Sequence, residues 1–198
     1  LSASDVDGDD LSFSASVDGN ALVSVDGTTL SVVPDLNYSG DIAVTVVVSD
    51  GEYSDSDTFV LTVNNLNDAP TVNPIANETI FEDEAFEMAV SGNDVDLDDV
   101  ISFSASVDGN ASASVDGTAL TVVPDLNYSG SIEVTVTATD IAGETGQASF
   151  TLSVLAVNDA PVVDAILDHE TDEDQAFEIV LSASDVDGDD LSFSASVD

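Results

Sequence analysis

Apolar and polar residues alternate along several short segments of the chain. Between Ile132 and Thr139 the apolar residues occupy every second position, and Glu or Thr fills the positions between them. Because successive side chains of a β-strand point to opposite faces, this pattern predicts a half-buried strand. The same alternation predicts further strands at Phe86-Met88-Val90, Ile101-Phe103, Leu120-Val122 and Phe150-Leu152-Val154.

Asp-Gly pairs separate several of these segments. The pairs Asp108-Gly109 and Asp116-Gly117 are typical of tight turns, so both are predicted to join neighbouring strands as hairpins. About seven short strands in about 90 residues, without a helical period, predict an all-β fold of the Greek-key, immunoglobulin-like sandwich type.

Internal repeats set the predicted organisation. Residues 181–198 are identical to residues 1–18, and a second period of about 90 residues lies inside this one. NDAP occurs at 67–70 and 158–161, and VVPDLNYSG occurs at 32–40 and 122–130. We therefore expect a linear array: a partial repeat at 1–66 without its first strands, a complete repeat at 67–157, and the first strands of another at 158–198. The chain is expected to be an interior piece of a longer array.

The charge of the chain is strongly one-sided. It has 41 acidic residues, no Lys or Arg and one His, and Asp outnumbers Glu by 31 to 10. Nucleic acid and anionic membranes attract basic faces, so both are excluded as electrostatic partners. Self-repulsion of this size opposes a compact state, and bound multivalent cations are its simplest remedy. Disorder is the alternative, but 43% hydrophobic residues in alternation suffice for a core.

Four motifs occur in a fixed order along the repeat: the acidic pair Glu82-Asp83, Asp94-x-Asp96, the N-Y-S-G segment ending at Gly130, and NDAP. This order resembles the cadherin-like repeats of large bacterial surface adhesins. The resemblance implies calcium ions between consecutive repeats, held by the lower end of one repeat, the linker and the upper end of the next.

By that resemblance the chain contains two sets of candidate calcium ligands. The first junction has Asp35, Asn37, Asn67, Asp68, Asp94, Asp96 and Asp140, with Asn65 as an additional candidate. The second junction has Glu82, Asp125, Asn127, Asn158, Asp159, Asp185 and Asp187. Asn37 and Asn127 stand where cadherins have a carboxylate, so one or two calcium ions per junction are expected rather than three. The alternative is that Asp94, Asp96, Asp98 and Asp99 form a solvated acidic turn.

Other motifs carry less chemistry. His169 is a single imidazole, so it offers no catalytic triad and is predicted to be a surface substitution. Paired carboxylates can serve glycosidases, but near-identical repeats without Trp offer little sugar-binding surface. Tyr38 and Tyr128 are predicted to be structural. Sequons at Asn37, Asn77, Asn110 and Asn127 make attached glycans candidate partners.

The resulting hypothesis is a calcium-rigidified extracellular spacer, stalk or fibril without enzymatic activity, whose partners are calcium ions and neighbouring repeats. The chain has no Cys, which excludes disulfides and thiolate metal sites, and no apolar segment approaches the roughly 20 residues that span a bilayer. The alternative is an adhesive module that binds glycans or like chains through the repeats, with lateral association bridged by calcium left open. An exposed apolar patch would favour that alternative, and none is evident in the sequence.

Overall fold

The fold is all-β, as the alternation predicts. The computed structural model describes residues 1–96 and 100–196, and in this part of the chain every regular element is a strand. The candidate turn residues Asp98 and Asp99 lie outside the described residues. The strands are β1 Ser12–Val17, β2 Ala21–Asp26, β3 Thr29–Pro34, β4 Gly40–Ser49, β5 Ser54–Val63, β6 Thr71–Val72, β7 Glu78–Phe81, β8 Phe86–Ala89, β9 Gly92–Asn93, β10 Ser102–Val107, β11 Ala111–Asp116, β12 Ala119–Pro124, β13 Gly130–Thr139, β14 Thr145–Leu155, β15 Val162–Val163 and β16 Ala183–Ser184.

The strands are distributed over two compact units. The first unit contains residues 1–70, 93–101 and 139–145, and the second contains residues 71–92, 102–138 and 146–198. The linker motif at 67–70 therefore belongs to the same unit as two loops that follow it by about 25 to 75 residues along the chain. This grouping brings the candidate ligands of the first junction into one unit.

The second unit contains two facing sheets. One has the strand order β10-β13-β14-β7, in which β7 runs parallel to β14, and the other has the order β11-β12-β8. The predicted alternation in β13 is confirmed, because Ile132, Val134, Val136 and Ala138 are all fully buried. Leu120 and Val122 of β12 and Leu152 of β14 are also fully buried, so both sheets contribute to one core.

The turn at Asp108-Gly109 differs from the prediction. It joins β10 to β11, but β10 pairs within one sheet and β11 pairs within the other, so it is a crossover between sheets and not a hairpin. The Asp108 carboxylate accepts a hydrogen bond of 3.0 Å from the backbone N–H of Glu133 in β13, which anchors the crossover. By contrast, Asp116-Gly117 does join paired strands, with Asp116 opposite Ala119 in the β11–β12 register.

The first unit contains strands β1 to β5, which correspond to β10 to β14 of the second unit. Its sheets are β1-β4-β5 and β2-β3, and Ile42 and Val44 of β4 are fully buried between them. Strands β3 and β5 are edge strands of these sheets, whereas their counterparts β12 and β14 each have a further neighbour. This difference leaves part of the apolar surface of the first unit uncovered.

Tyr38 and Tyr128 have the structural role expected of them. The Tyr128 hydroxyl donates a hydrogen bond of 3.1 Å to the carbonyl of Ser131, and Tyr38 donates the equivalent bond of 2.8 Å to Asp41. Gly130 has a φ of 148°, and a Cβ atom there would lie 2.6 Å from the Tyr128 hydroxyl oxygen. The N-Y-S-G segment therefore packs the tyrosine over its own glycine at the start of β13.

Candidate metal centre

The Asp-x-Asp motif folds as a tight turn that leaves carboxylate oxygens unused. The backbone N–H of Asp96 donates to Oδ1 of Asp94 at 2.9 Å, as in the equivalent turn where Asp187 donates to Asp185 at 3.0 Å. Asp94 therefore uses one oxygen to shape the turn. Its other oxygen, Oδ2, is buried and has no hydrogen-bond partner.

The linker contacts this turn directly. The backbone N–H of Asp68 donates to Oδ2 of Asp96 at 2.7 Å. Asp96 is only 9% exposed. The amide of Asn67 donates to Oδ2 of Asp140 at 2.8 Å. Five of the residues predicted for the first junction are thus joined by short contacts, and we call them the first acidic cluster: Asn67, Asp68, Asp94, Asp96 and Asp140.

Asp140 is held ionised by its surroundings. The hydrogen bond from the Asn67 side chain is the main cause of a lowered pKa for this carboxyl, and the backbone N–H groups of Glu144 and Gly143 add to it at 2.8 and 2.6 Å. Burial of the side chain opposes the shift without reversing it. The carboxylate at this position therefore stays charged well into the acidic range.

The second cluster repeats part of the arrangement of the first. The backbone N–H of Asp159 donates to Oδ2 of Asp187 at 2.6 Å, which matches the contact between Asp68 and Asp96. Glu82, only 6% exposed, accepts a hydrogen bond of 2.5 Å from the backbone N–H of Val157. Carboxylate oxygens of Glu82, Asp159 and Asp187 lie within 4.8 Å of one another. We call these three residues, with Asp83 and Asp185, the second acidic cluster.

Asp159 carries the electrostatic cost of this convergence. Burial is the main cause of a raised pKa for the Asp159 carboxyl. Four neighbouring negative charges raise the pKa further, namely those of Asp187, Glu82, Asp83 and Asp185. The Oδ2 atom of Asp159 is buried and makes no hydrogen bond. The described part of the chain contains no Lys or Arg to compensate this charge. An unpaired carboxylate among four others is costly unless a cation joins it.

Asp83 is a site residue that the sequence did not single out. Its Oδ1 atom accepts a hydrogen bond of 2.9 Å from the backbone N–H of Asn127, and both residues have positive φ angles of 60° and 56°. The second acid of the Glu82-Asp83 pair therefore ties the N-Y-S-G segment to the cluster. The signal was present in the motif itself, where Asp83 accompanies Glu82.

The other predicted calcium ligands have fewer described contacts with the two acidic clusters. Asp125 and Asn127 form the turn before β13, and the contact between Asn127 and Asp83 brings them to the edge of the second cluster. Asp35 and Asn37 form the equivalent turn before β4 and are exposed, as is Asn65. Asn158 donates to the backbone carbonyl of Asp159 at 2.9 Å. In the described hydrogen bonds, none joins Asp35, Asn37 or Asn65 to the first cluster.

The donor atoms in both clusters define the metal that fits them. All of them are carboxylate, amide or backbone oxygens, which suit hard cations such as Ca²⁺ and exclude the sulfur and imidazole chemistry of zinc and copper sites. Two buried carboxylate oxygens without a partner, one in each cluster, are the places where a cation would gain most. The arrangement fits Ca²⁺, which takes six to eight oxygens in flexible geometry.

Two family models match the chain in tandem. Residues 1–64 match a cadherin-like domain, and residues 67–153 match a bacterial Ig domain. Both descriptions agree with the predicted bacterial cadherin-like repeats and with the all-β sandwich fold.

Solved cadherin structures share the fold. The EC1-2 fragment of human protocadherin-24 is 18% identical, with a TM-score of 0.51, over 79% of this chain and 87% of that one. A cis-dimer structure of protocadherin gammaB7 EC3-6 is 19% identical, with a TM-score of 0.48, over 92% of this chain and 53% of that one.

An enzyme is also among the similar structures. An endo-fucoidan hydrolase of glycoside hydrolase family 107 is 18% identical with a TM-score of 0.35. The match covers 76% of this chain but spans only 24% of that protein. Among curated proteins, none matches the chain.

Proposed function

Because the chain is built of cadherin-like and bacterial Ig-type β-sandwich repeats, we propose that it is a calcium-rigidified structural spacer of an extracellular protein. Calcium ions held by the two acidic clusters would fix the linkers at 67–70 and 158–161 against the loops they contact. The fixed linkers would turn a flexible string of repeats into a stiff one, whose length is set by repeat number.

One observation carries the proposal: each cluster contains a buried carboxylate oxygen without a partner, Oδ2 of Asp94 in the first and Oδ2 of Asp159 in the second. Such atoms are costly in a folded protein unless a ligand satisfies them. Water alone would leave the charge of several converging acids unbalanced, whereas a divalent cation balances it. Two contacts recur in both clusters, the bond from the linker N–H to the second Asp of the Asp-x-Asp motif and the bond within that motif, which supports a shared purpose rather than a chance acidic surface.

The ligand assignment follows from these contacts. In the first cluster we propose Asp94 through its free oxygen, with Asp96, Asp140, Asn67 and Asp68 around it. In the second cluster we propose Glu82, Asp159, Asp187 and Asp185, with Asp83 added to the residues expected from the sequence. Asp35, Asn37, Asn65, Asp125, Asn127 and Asn158 remain candidates for the outer positions of these sites.

No helix long and apolar enough to cross a bilayer occurs in the described residues. An extracellular location is proposed because cadherin-like and bacterial Ig domains are typical of extracellular proteins, where calcium is abundant enough to fill sites of moderate affinity. We propose no enzymatic role, since the side chains of both clusters are carboxylates and the amide of Asn67, and the single His of the chain completes no acid–base pair with them.

The double variant Asp94→Asn with Asp96→Asn tests the first site. We expect isothermal titration calorimetry to show loss of calcium binding at one site, with at least a tenfold weaker affinity there, because affinity follows the charge of the ligands. The second cluster should bind as in the unaltered chain. The sandwich should stay folded by circular dichroism, since neither residue belongs to the core.

The matched control is Asp55→Asn with Asp57→Asn, which removes two charges from the exposed strand β5. It should leave calcium binding at both clusters unchanged apart from a small effect of net charge. Equal weakening by both double variants would mean that calcium is attracted by total charge and not by the cluster. That result would contradict the ligand assignment.

Acidic pH should weaken calcium binding at the second cluster first. The raised pKa of Asp159 means that it takes up a proton above the ordinary Asp value of 3.8. Without metal, ionising this group as the pH rises costs the folded state stability, because the folded state holds the proton more tightly than the unfolded chain. Calcium binds the ionised form, so its affinity should rise with pH over the same range. Calorimetry from pH 4 to 7 on the Asp94→Asn, Asp96→Asn background would measure this, and an affinity independent of pH would contradict it.

A further inference from the structure

Strands β10 and β11 are edge strands on one side of the complete repeat. β10 stands at one end of the sheet β10-β13-β14-β7, and β11 stands at one end of the sheet β11-β12-β8. Among the described strands, each therefore has a hydrogen-bonded neighbour on one side only. The turn at Asp108-Gly109 joins the two, and they pack against each other. This side of the sandwich presents backbone N–H and C=O groups along which a further strand can pair.

The edge formed by β10 lacks the features that keep natural edge strands from pairing. Such edges are usually very short or carry charged side chains or Pro. The sequence of β10 is SFSASV, six residues without a charge and without Pro. Strand β1 of the first unit has the same sequence and also stands at the end of its sheet, β1-β4-β5. An uncharged edge strand thus occurs in both units.

The opposite side of the complete repeat is charged. Its edge strands β7 and β8 carry Glu78 and Glu87. The turn that joins them adds three further acids, Glu82, Asp83 and Glu84. Over β10, β11 and the turn between them, the acids are Asp108 and Asp116. In a chain with a net charge of −41, two copies repel each other least where few carboxylates meet, which favours the side of β10.

The backbone of β10 determines which residues can pair at this edge. The N–H of Asp108, directly after β10, donates to the carbonyl of Glu133 in β13 at 3.2 Å. The equivalent strands β1 and β4 pair antiparallel, and in an antiparallel ladder successive residues point their backbone groups to alternate sides. The serines of β10 therefore point their backbone groups toward β13. Phe103 and Ala105, whose side chains are half-buried, present theirs at the edge.

We propose that β10 pairs antiparallel with β10 of a second copy of this chain, about a two-fold axis at Ser104. Phe103 of each copy lies opposite Ala105 of the other, and the two residues exchange N–H···O=C hydrogen bonds. On the outer face, Ser102 of each copy lies opposite Ser106 of the other. The contact is isologous and joins the two four-stranded sheets into one continuous sheet.

The sequence of β10 suits pairing with itself in this register. Its strict alternation sets half-buried apolar residues opposite apolar ones and serines opposite serines, and the large Phe103 faces the small Ala105. An axis at Ser104 also leaves Asp108 beyond the paired residues, with its carboxylate bound to the N–H of Glu133. An axis at Ala105 would instead set Asp108 opposite Ser102. The pairing uses none of the proposed calcium ligands, so it stands independently of the calcium sites.

A disulfide across the two-fold axis tests the register. Ser104 of one copy faces Ser104 of the other as a non-hydrogen-bonded pair, with Cα atoms about 4.5 Å apart, which a disulfide spans. The chain has no Cys, so Ser104→Cys introduces a single thiol, at an exposed position. Because pairing raises the effective concentration of the two thiols, mild oxidation of the calcium-saturated variant should give a covalent dimer at least about tenfold faster than random collision.

The matched control is Ser149→Cys, which measures the rate of random collision. Ser149 is also an exposed serine on the outer face of the same sheet, but it lies in β14, separated from β10 by β13. Equal rates for Ser104→Cys and Ser149→Cys would overturn the proposal. So would a mixture of Ser104→Cys and Ser106→Cys that forms the mixed dimer faster than Ser104→Cys forms its own, because that product belongs to an axis at Ala105.

Sedimentation velocity of the calcium-saturated chain tests the association without a covalent bond. Ser104→Asp sets two carboxylates directly opposite each other at the axis, so it should weaken dimerisation by at least about tenfold. Ser149→Asp adds the same charge to the same face away from the edge. In about 0.5 M sodium chloride, where distant charges are screened, it should leave the dimer within about twofold of the unaltered chain.

The salt dependence and the two variants together decide the outcome. The unaltered chain should dimerise more strongly as sodium chloride is raised, because salt screens the repulsion between copies. Equal weakening by Ser104→Asp and Ser149→Asp would mean that net charge governs association and not the edge, and would overturn the proposal. A purified chain that stays monomeric at millimolar concentration in high salt would also overturn it, as expected if the edge of β10 pairs only with a different protein.

Discussion

Chelation of calcium should lower the melting temperature of the protein by about 10 to 20 °C. A ligand present at 100 times its dissociation constant stabilises the folded state by about 2.7 kcal/mol per site. For a domain the size of one repeat, about 90 residues, each kcal/mol lost lowers the melting temperature by about 4 to 8 °C. This stabilisation includes the gain at the buried oxygens of Asp94 and Asp159, which removal of the metal leaves without a partner. Differential scanning calorimetry in 2 mM calcium and in excess EDTA measures the shift.

The control for this experiment keeps ionic strength constant. Sodium chloride at matched ionic strength should restore only a small part of the melting temperature, since screening acts poorly between carboxylates in contact. Magnesium should restore less than calcium, because it demands octahedral geometry and releases its water reluctantly. If sodium restored the full melting temperature, general charge repulsion would explain the stability, and the proposed sites would have no special part in it.

The fold could be predicted largely from local pattern. The alternation in β13 gives its buried face directly, and that prediction is confirmed by the fully buried Ile132, Val134 and Val136. The prediction of a hairpin at Asp108-Gly109 was wrong, because a hairpin and a crossover between sheets use the same turn residues. What distinguishes them is the pairing of β10 with β13, a contact between residues about 25 positions apart that no local pattern encodes.

The candidate site could be predicted as a set of motifs but not as a geometry. The contact between Asp68 and Asp96 joins motifs that the sequence had already singled out. The burial of single oxygen atoms in Asp94 and Asp159 depends on where segments 28 to 75 residues apart converge, and the role of Asp83 depends on the same convergence. Sequence spacing states which residues are available, whereas folding decides which of their atoms are left without a partner.

The apolar edge and the acidic ends of a repeat have different needs. Strand β8 covers the edge beside β12 from within the same repeat, so that edge needs no outside partner. The acidic clusters contain buried oxygens without a hydrogen-bond partner, and the proposed cations would satisfy these from outside the chain. A repeat whose apolar core is complete in itself suits an array in which each repeat folds largely on its own.

Phe150→Ala should destabilise the second unit by about 3 to 5 kcal/mol, the range for loss of a large buried aromatic side chain. The residue is 3% exposed, and its ring packs against that of Phe86 at 5.8 Å, so the substitution leaves a cavity between the sheets and removes the aromatic contact. Urea unfolding of the calcium-saturated protein, followed by circular dichroism, gives the change in the free energy of unfolding.

The chain supplies its own control in Phe59→Ala, which makes the same chemical change at the equivalent position of the first unit. Phe59 is 44% exposed, so its removal should cost about 1 to 2 kcal/mol, roughly in proportion to the surface it buries. Equal costs for the two variants would mean that Phe59 is buried in solution, and the structure of the first unit would then have to differ from the one described.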